Sequence, residues 1–132
     1  MRTYINGVNT AFRTGDTSAA KSASSPDCKC RDQLTEIARV YAQHAHFAGT
    51  HLATGRLVVT KREPTTAQVR LTVRVPASQV VLPNGKRRHL KAFPPRTVTA
   101  TVVDEDGRWV VTSFTGLPRP EVTNSPTPMP SG

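Results

Sequence analysis

Up to Gly49 the apolar residues of this chain recur every three or four positions, and beyond it they alternate with polar ones. A chain whose hydrophobic period switches once from about 3.6 to 2 buries a helical face against one face of a sheet. The fold class expected is therefore α+β, with helices first and an antiparallel sheet of four or more strands after them.

The helical part divides into three. Tyr4, Ile5, Val8, Ala11 and Phe12 form one stripe, with Asn6, Asn9, Thr10 and Arg13 off it, and Gly15 ends the helix. A short second helix is expected from Ser18 to about Ser24, its free N–H groups met by Asp16 or Thr17, before Ser25-Pro26-Asp27 breaks the chain. The third is expected from Arg31 to about Ala48, where Leu34, Ile37, Ala38, Tyr41, Ala45 and Ala48 share a face. Glu36 and Arg39 can pair on the opposite side.

In the second half, Gln68 to Val75 alternates without a fault: Val69, Leu71, Val73 and Val75 on one face, Gln68, Arg70, Thr72 and Arg74 on the other. One face is core and the other meets water. A strand near Gly55 to Lys61 precedes it across Pro64-Thr65-Thr66, and Pro76 marks a break before Val80. Pro83-Asn84-Gly85 suits a tight turn ahead of a basic strand, Arg87 to Phe93. Pro94-Pro95 is expected to interrupt pairing, after which Arg96–Val103 and Arg108–Thr115 flank Asp104-Glu105-Asp106-Gly107 as a hairpin.

With 132 residues and 36% hydrophobic side chains the chain suits one compact domain, expected over residues 1–116, and excludes a two-domain enzyme. Five prolines follow Leu117, so residues 117–132 are expected to be a disordered, Pro-rich tail. No apolar run approaches the ~18 residues of a spanning helix, and Met1-Arg2-Thr3-Tyr4 lacks the apolar segment of a secretory signal. The net charge of +9 is concentrated: residues 56–96 carry ten basic side chains against Glu63 alone. Arg70, Arg74, Arg87, Arg88 and Lys91 are therefore candidates for meeting an anionic membrane or wall surface, against the plainer reading of a solubilising sheet face. Nucleic acid would find phosphate contacts without base recognition, because the few aromatic residues do not interleave with the basic strands.

Catalytic patterns are missing. There are no paired carboxylates in acid–base spacing, no Gly-x-Ser-x-Gly nucleophile turn and no phosphate-binding Gly-x-x-x-x-Gly-Lys loop, so no catalytic residue and no cofactor is implied. Cys28 and Cys30, one residue apart, favour a local structural disulfide over free thiols, with a redox pair as the alternative. Together with His44 and His46 they imitate a two-Cys, two-His zinc pattern. A helix over 31–47 would hold Cys30 and His44 about 21 Å apart and point the two histidines about 200° apart, so no metal site is expected. A pocket between helices and sheet would be lined by Phe12, Tyr41, His44 and Trp109, judged from periodicity.

Three helices followed by a curved antiparallel sheet is the order of the nuclear transport factor two-like, or cystatin-like, cone. Within it, Asn9-Thr10-Ala11-Phe12-Arg13-Thr14-Gly15-Asp16-Thr17, then Ser24-Ser25-Pro26-Asp27-Cys28 with Cys30, then Tyr41 and Gly49, resembles an actinobacterial family of lipoproteins of unknown function. The resemblance covers about residues 1–116. It implies export to the cell envelope or outside, through a lipid-attached cysteine and a polar linker ahead of the domain. This chain departs from that family in having no signal or lipid-attachment segment, which keeps a cytoplasmic location open, and in having one residue rather than two between its cysteines. The function implied is a non-catalytic domain, monomer or homodimer, that binds a protein partner or a small apolar ligand. The rivals are an assembly component like the periplasmic cone-fold subunits of secretion and conjugation machines, and a cone-fold isomerase or dehydratase.

Overall fold

Tyr4, Ile5, Val8, Ala11 and Phe12 fall on one side of α1 (Arg2–Thr14), and all five are buried. The computed structural model describes residues 1–115; the expected domain boundary at 116 and the Pro-rich tail lie outside the described residues. Gly15 ends α1 in the left-handed conformation at φ 83°, its N–H donating to the Ala11 carbonyl, as a helix-terminating glycine does. Asp16 then accepts hydrogen bonds from both the N–H and the hydroxyl of Ser18, and α2 (Ser18–Ser22) begins there. It stops two residues short of the expected end, because Ser24 leaves the helix to bridge Val111 of the last strand.

The third helix is the main correction. α3 covers Arg31–Ala42, and the residues after it turn into a strand, β1 (His46–Ala48). His44 takes φ 63°, while the Ala45 N–H reaches back to the Val40 carbonyl, so a histidine occupies the left-handed position usual for glycine. The reversal turns Ala45 and Phe47 inward on a two-residue period with His46 exposed between them. That alternation was present in the sequence, hidden inside an apolar stripe that also fits a helix.

Six further strands follow: β2 (Ala53–Arg62), β3 (Thr66–Val75), β4 (Ser78–Val81), β5 (Arg87–Leu90), β6 (Phe93–Glu105) and β7 (Arg108–Thr115). They pair antiparallel in two ladders, β2-β3-β6-β7 and β1-β4-β5. The chain bends at Pro76 between β3 and β4, and its partner bends between β5 and β6, so one long hairpin runs through both ladders. Pro94 and Pro95 interrupt pairing as expected, but they do not end the strand. They are the two β6 residues that oppose Arg74 between the Val73–Arg96 and Val75–Phe93 pairs, a bulge of the kind that lets proline occupy a strand. Asp106 and Gly107, both at positive φ, close the β6–β7 hairpin.

The three helices pack on the buried face of this curved sheet, giving the cystatin-like cone. Val69, Leu71, Val73, Val98, Ala100, Val102 and Val111 meet Val8, Phe12, Leu34 and Ile37 in one cluster. Gly7 permits this layering, since a Cβ there would lie 2.6 Å from the Ala20 backbone nitrogen.

Candidate functional site

The period-two pattern of β3 sorts its side chains cleanly. Arg70 and Arg74 are exposed on the outer face, turned away from the helices. Register fixes their neighbours: Gln68 lies opposite Thr101, Arg70 opposite Thr99, and Thr72 opposite Thr97. On the other flank Val58 lies opposite Arg70. The outer face of the larger ladder is thus a plane of threonines carrying two guanidinium groups. No Asp or Glu occurs in β2, in β3 or in residues 93–103. Glu105, on the same side at the far end of β6, is the carboxylate of this face, so the weak cation field, with hydroxyl groups between the charges, is confined to the part around Arg70 and Arg74.

The other three basic candidates divide between two faces. Arg87 is exposed on the outer side of β5 and donates to the Gln79 side chain at 2.7 Å. Arg88 lies opposite the buried Val80 and is half-buried, so it belongs to the inner side of the smaller ladder. Lys91 is exposed just past β5. The threonine plane was legible in the sequence as alternation in β3, but its width depends on the register of β6, which the sequence alone does not give.

The four residues expected to line a pocket are placed at different ends of the molecule. Phe12 is fully buried and meets Phe47 edge to face, ring centroids 5.1 Å apart. Tyr41 packs beside them, its centroid 6.1 Å from that of Phe47, and its hydroxyl donates to the Phe12 carbonyl. Burial pushes the Tyr41 phenol above its ordinary pKa. His44 is exposed at the helix exit. Trp109 lies beside Met1 and Thr3 at the start of α1, the end opposite to Phe12. There it lines an open groove of about 330 Å³ with Met1, Thr3, Ala19, Ala23 and Arg108. Arg62 stacks over the indole at 5.7 Å. Phe12, Phe47 and Tyr41 thus pack their rings together at one end of the cone.

Cys28 and Cys30 are joined in a disulfide, with Cα atoms 5.1 Å apart, within the range such bonds accept. Both are buried beneath Tyr4, whose hydroxyl donates to the Cys30 carbonyl at 3.3 Å. With α3 ending at Ala42, the helical spacing used to separate Cys30 from His44 does not apply. Among the described residues, no group of three or more His, Cys, Asp or Glu is placed to hold a metal ion. His51 contacts the Gly49 carbonyl through Nδ1 at 3.1 Å, and Asp16 is engaged by Ser18.

No family model and no curated protein matches the chain. Solved structures do. A candidate aromatic ring hydroxylase from Novosphingobium aromaticivorans is similar over 95% of this chain and 85% of its own, at 14% identity and a TM-score of 0.56. A point variant of Rv3472 from Mycobacterium tuberculosis, a protein of unknown function, is similar over 92% of this chain and 66% of its own, at 15% identity and 0.53. A protein with a cystatin-like fold from Nostoc punctiforme is similar over 92% and 87%, at 12% identity and 0.50. At these identities the likeness establishes the fold: a nuclear transport factor two-like, cystatin-like cone.

Proposed function

We propose that this chain is a non-catalytic binding domain of the cell envelope, which holds the outer face of its larger ladder against a polyanionic surface. The observation that carries the reading is the placement of Arg70 and Arg74 together on one exposed threonine plane, with no carboxylate on β2, β3 or residues 93–103. Each cation near an anionic lipid surface contributes about 1 kcal/mol, so a few acting together give reversible, salt-sensitive attachment. The Cys28–Cys30 disulfide supports a setting outside the reducing cytoplasm. The rings of Phe12, Phe47 and Tyr41, packed on one another between helix and sheet, support surface binding over an acid–base site at that end of the cone. His44 is exposed and Asp16 is engaged by Ser18.

The test is co-sedimentation with phosphatidylcholine vesicles, with and without phosphatidylglycerol, across a salt series. Binding is expected only to the anionic vesicles, weakening with salt. Arg70→Glu combined with Arg74→Glu should lower it by about tenfold or more. Equal binding to neutral vesicles, or no effect of the double reversal, would overturn the reading. Parallel sedimentation with isolated cell wall separates a lipid source of the negative charge from a wall polymer.

A further inference from the structure

The two outer edges of the larger ladder are treated differently. On β7, the segment after α2 runs alongside: the Ser25 N–H donates to the Val111 carbonyl at 2.8 Å, and the Val111 N–H donates to the Ala23 carbonyl at 2.9 Å. On β2, no strand among the described residues pairs with the side away from β3. An unpaired edge presents backbone donors and acceptors to any extended chain.

This edge is also unusually apolar for its exposure. Val58 is 44% exposed and Val59 49%, the large hydrophobic side chains that the fold leaves open. They lie on opposite faces of the strand, Val58 with Arg70 and Val59 with Val69. Beside them Gly55 and Arg56 form a bulge, two residues opposing Thr72. Beneath it opens a cavity of about 90 Å³ lined by Ile5, Leu57, Leu71, Arg2, Asn6 and Thr54. That is smaller than the ~150 Å³ cavity that accepts benzene, so it has room for a small β-branched side chain such as valine or threonine, whose methyls meet Ile5, Leu57 and Leu71, and not for a ring.

We propose that β2 is a docking edge for an extended, acidic-flanked segment of a partner protein, added as a fifth strand with one aliphatic side chain seated beside Leu57. Charge selects the occupant. Arg56 precedes the Leu57-Val58-Val59 triplet and Lys61-Arg62 follow it, with no carboxylate in the strand. Two copies of β2 paired about the Val58–Val59 centre would set Arg56 opposite Lys61 twice, a repulsion that an acidic-flanked segment replaces with attraction. Main-chain hydrogen bonds supply affinity in such an addition, and the pocket with its flanking charges supplies selectivity. Val58 and Lys61 border the Arg70–Arg74 face, but the two tests substitute different residues and read different ligands, so each reading can fail without the other.

The experiment is an amide NMR titration of the full chain with a synthetic peptide of about eight residues, β-branched in the middle and aspartate at both ends. Amide shifts and slowed hydrogen exchange along Thr54–Lys61 are expected. Arg56→Glu with Lys61→Glu should weaken binding by about tenfold or more, while Arg87→Glu leaves it unchanged. The same peptide with alternate backbone amides methylated keeps its charge but cannot pair as a strand, and it should not bind. Equal binding of the methylated peptide would overturn the proposal in favour of simple charge attraction. Protection of β2 that appears without peptide and rises with protein concentration would overturn it in favour of a second copy.

Discussion

The ring of Tyr41 lies flat against Gly15: a Cβ built at Gly15 would stand 2.6 Å from Tyr41 Cγ and under 3.0 Å from Cδ1. The same tyrosine donates its hydroxyl to the Phe12 carbonyl, so the exit of α1 is fastened to α3 by a stacked contact and a hydrogen bond. Gly15→Ala meets two obstacles at once, a left-handed φ of 83° and the ring. The conformation costs about 1–2 kcal/mol and the overpacking about 1–3 kcal/mol, so a loss of about 2–5 kcal/mol is expected in urea unfolding. Measured against Tyr41→Ala as the reference, Gly15→Ala should cost only the backbone part.

Gly7 sets a sharper test of helix packing. Alanine improves helix propensity by about 1 kcal/mol over glycine, so Gly7→Ala would stabilise α1 in isolation. Here the new Cβ meets Ala20 N at 2.6 Å and Ala20 Cα at 2.8 Å, backbone atoms that cannot rotate aside. The helices must separate, and net destabilisation is expected in thermal unfolding. A raised midpoint would show that α2 is free to shift.

How far the sequence reached depends on whether a signal was local. The alternation in β3, the glycine stop at Gly15 and the Asp16 cap are each written within a few residues, and each appears where expected. β1 is three residues long and exists because Phe47 pairs with Val80, some thirty positions later. Nothing local distinguishes that from one more turn of α3. Pro94 and Pro95 read as the end of a strand, yet β6 runs through them, because the pairs that hold it on either side, Val73–Arg96 and Val75–Phe93, are made with the distant β3. For the candidate site, the period put Phe12 and Tyr41 correctly on the inner faces of their helices. Whether space remains beside them is decided by Phe47, which arrives from an element the sequence did not reveal.

Asn9 reaches from α1 to the entrance of β2. Its Nδ2 donates to the Leu52 carbonyl at 3.2 Å, and its Oδ1 accepts from the Leu52 N–H at 2.8 Å. Leu52 is buried, so Asn9→Ala strands both backbone groups at a cost of about 1–3 kcal/mol for each one left unsatisfied. Faster hydrogen exchange at the Leu52 amide should accompany the loss. Unchanged protection would mean that water replaces the clamp.

The disulfide encloses only Cys28 to Cys30, and the chain-entropy relation for so short a loop gives about 1.6 kcal/mol. The turn is held independently, because the Cys28 N–H donates to the Ser25 carbonyl and the Arg31 N–H to the Cys28 carbonyl, each at 3.0 Å. Reduction should therefore lower the melting temperature by roughly 5–10 °C without abolishing folding. Complete unfolding on adding reductant would show that the bond, and not the hydrogen-bonded turn, places α3.

Tyr4 ties the alkaline limit of stability to the core. Its phenol is buried against Phe114, ring centroids 5.9 Å apart, and burial raises its pKa well above the ordinary 10, with Arg31 opposing weakly. The unfolded chain ionises near 10 and the folded one does not, so the contribution is whole below about pH 10 and shrinks as pH climbs past it. Tyr41 shifts in the same direction and adds to the slope. Unfolding free energy measured in urea from neutral to strongly alkaline pH should be flat and then fall. Tyr4→Phe should flatten much of that fall. At neutral pH it should cost about 1–3 kcal/mol, since the buried Cys30 carbonyl loses its side-chain donor. An alkaline slope unchanged in Tyr4→Phe would mean that the phenol ionises in the folded state, with its ring no longer shielded by α1 and β7.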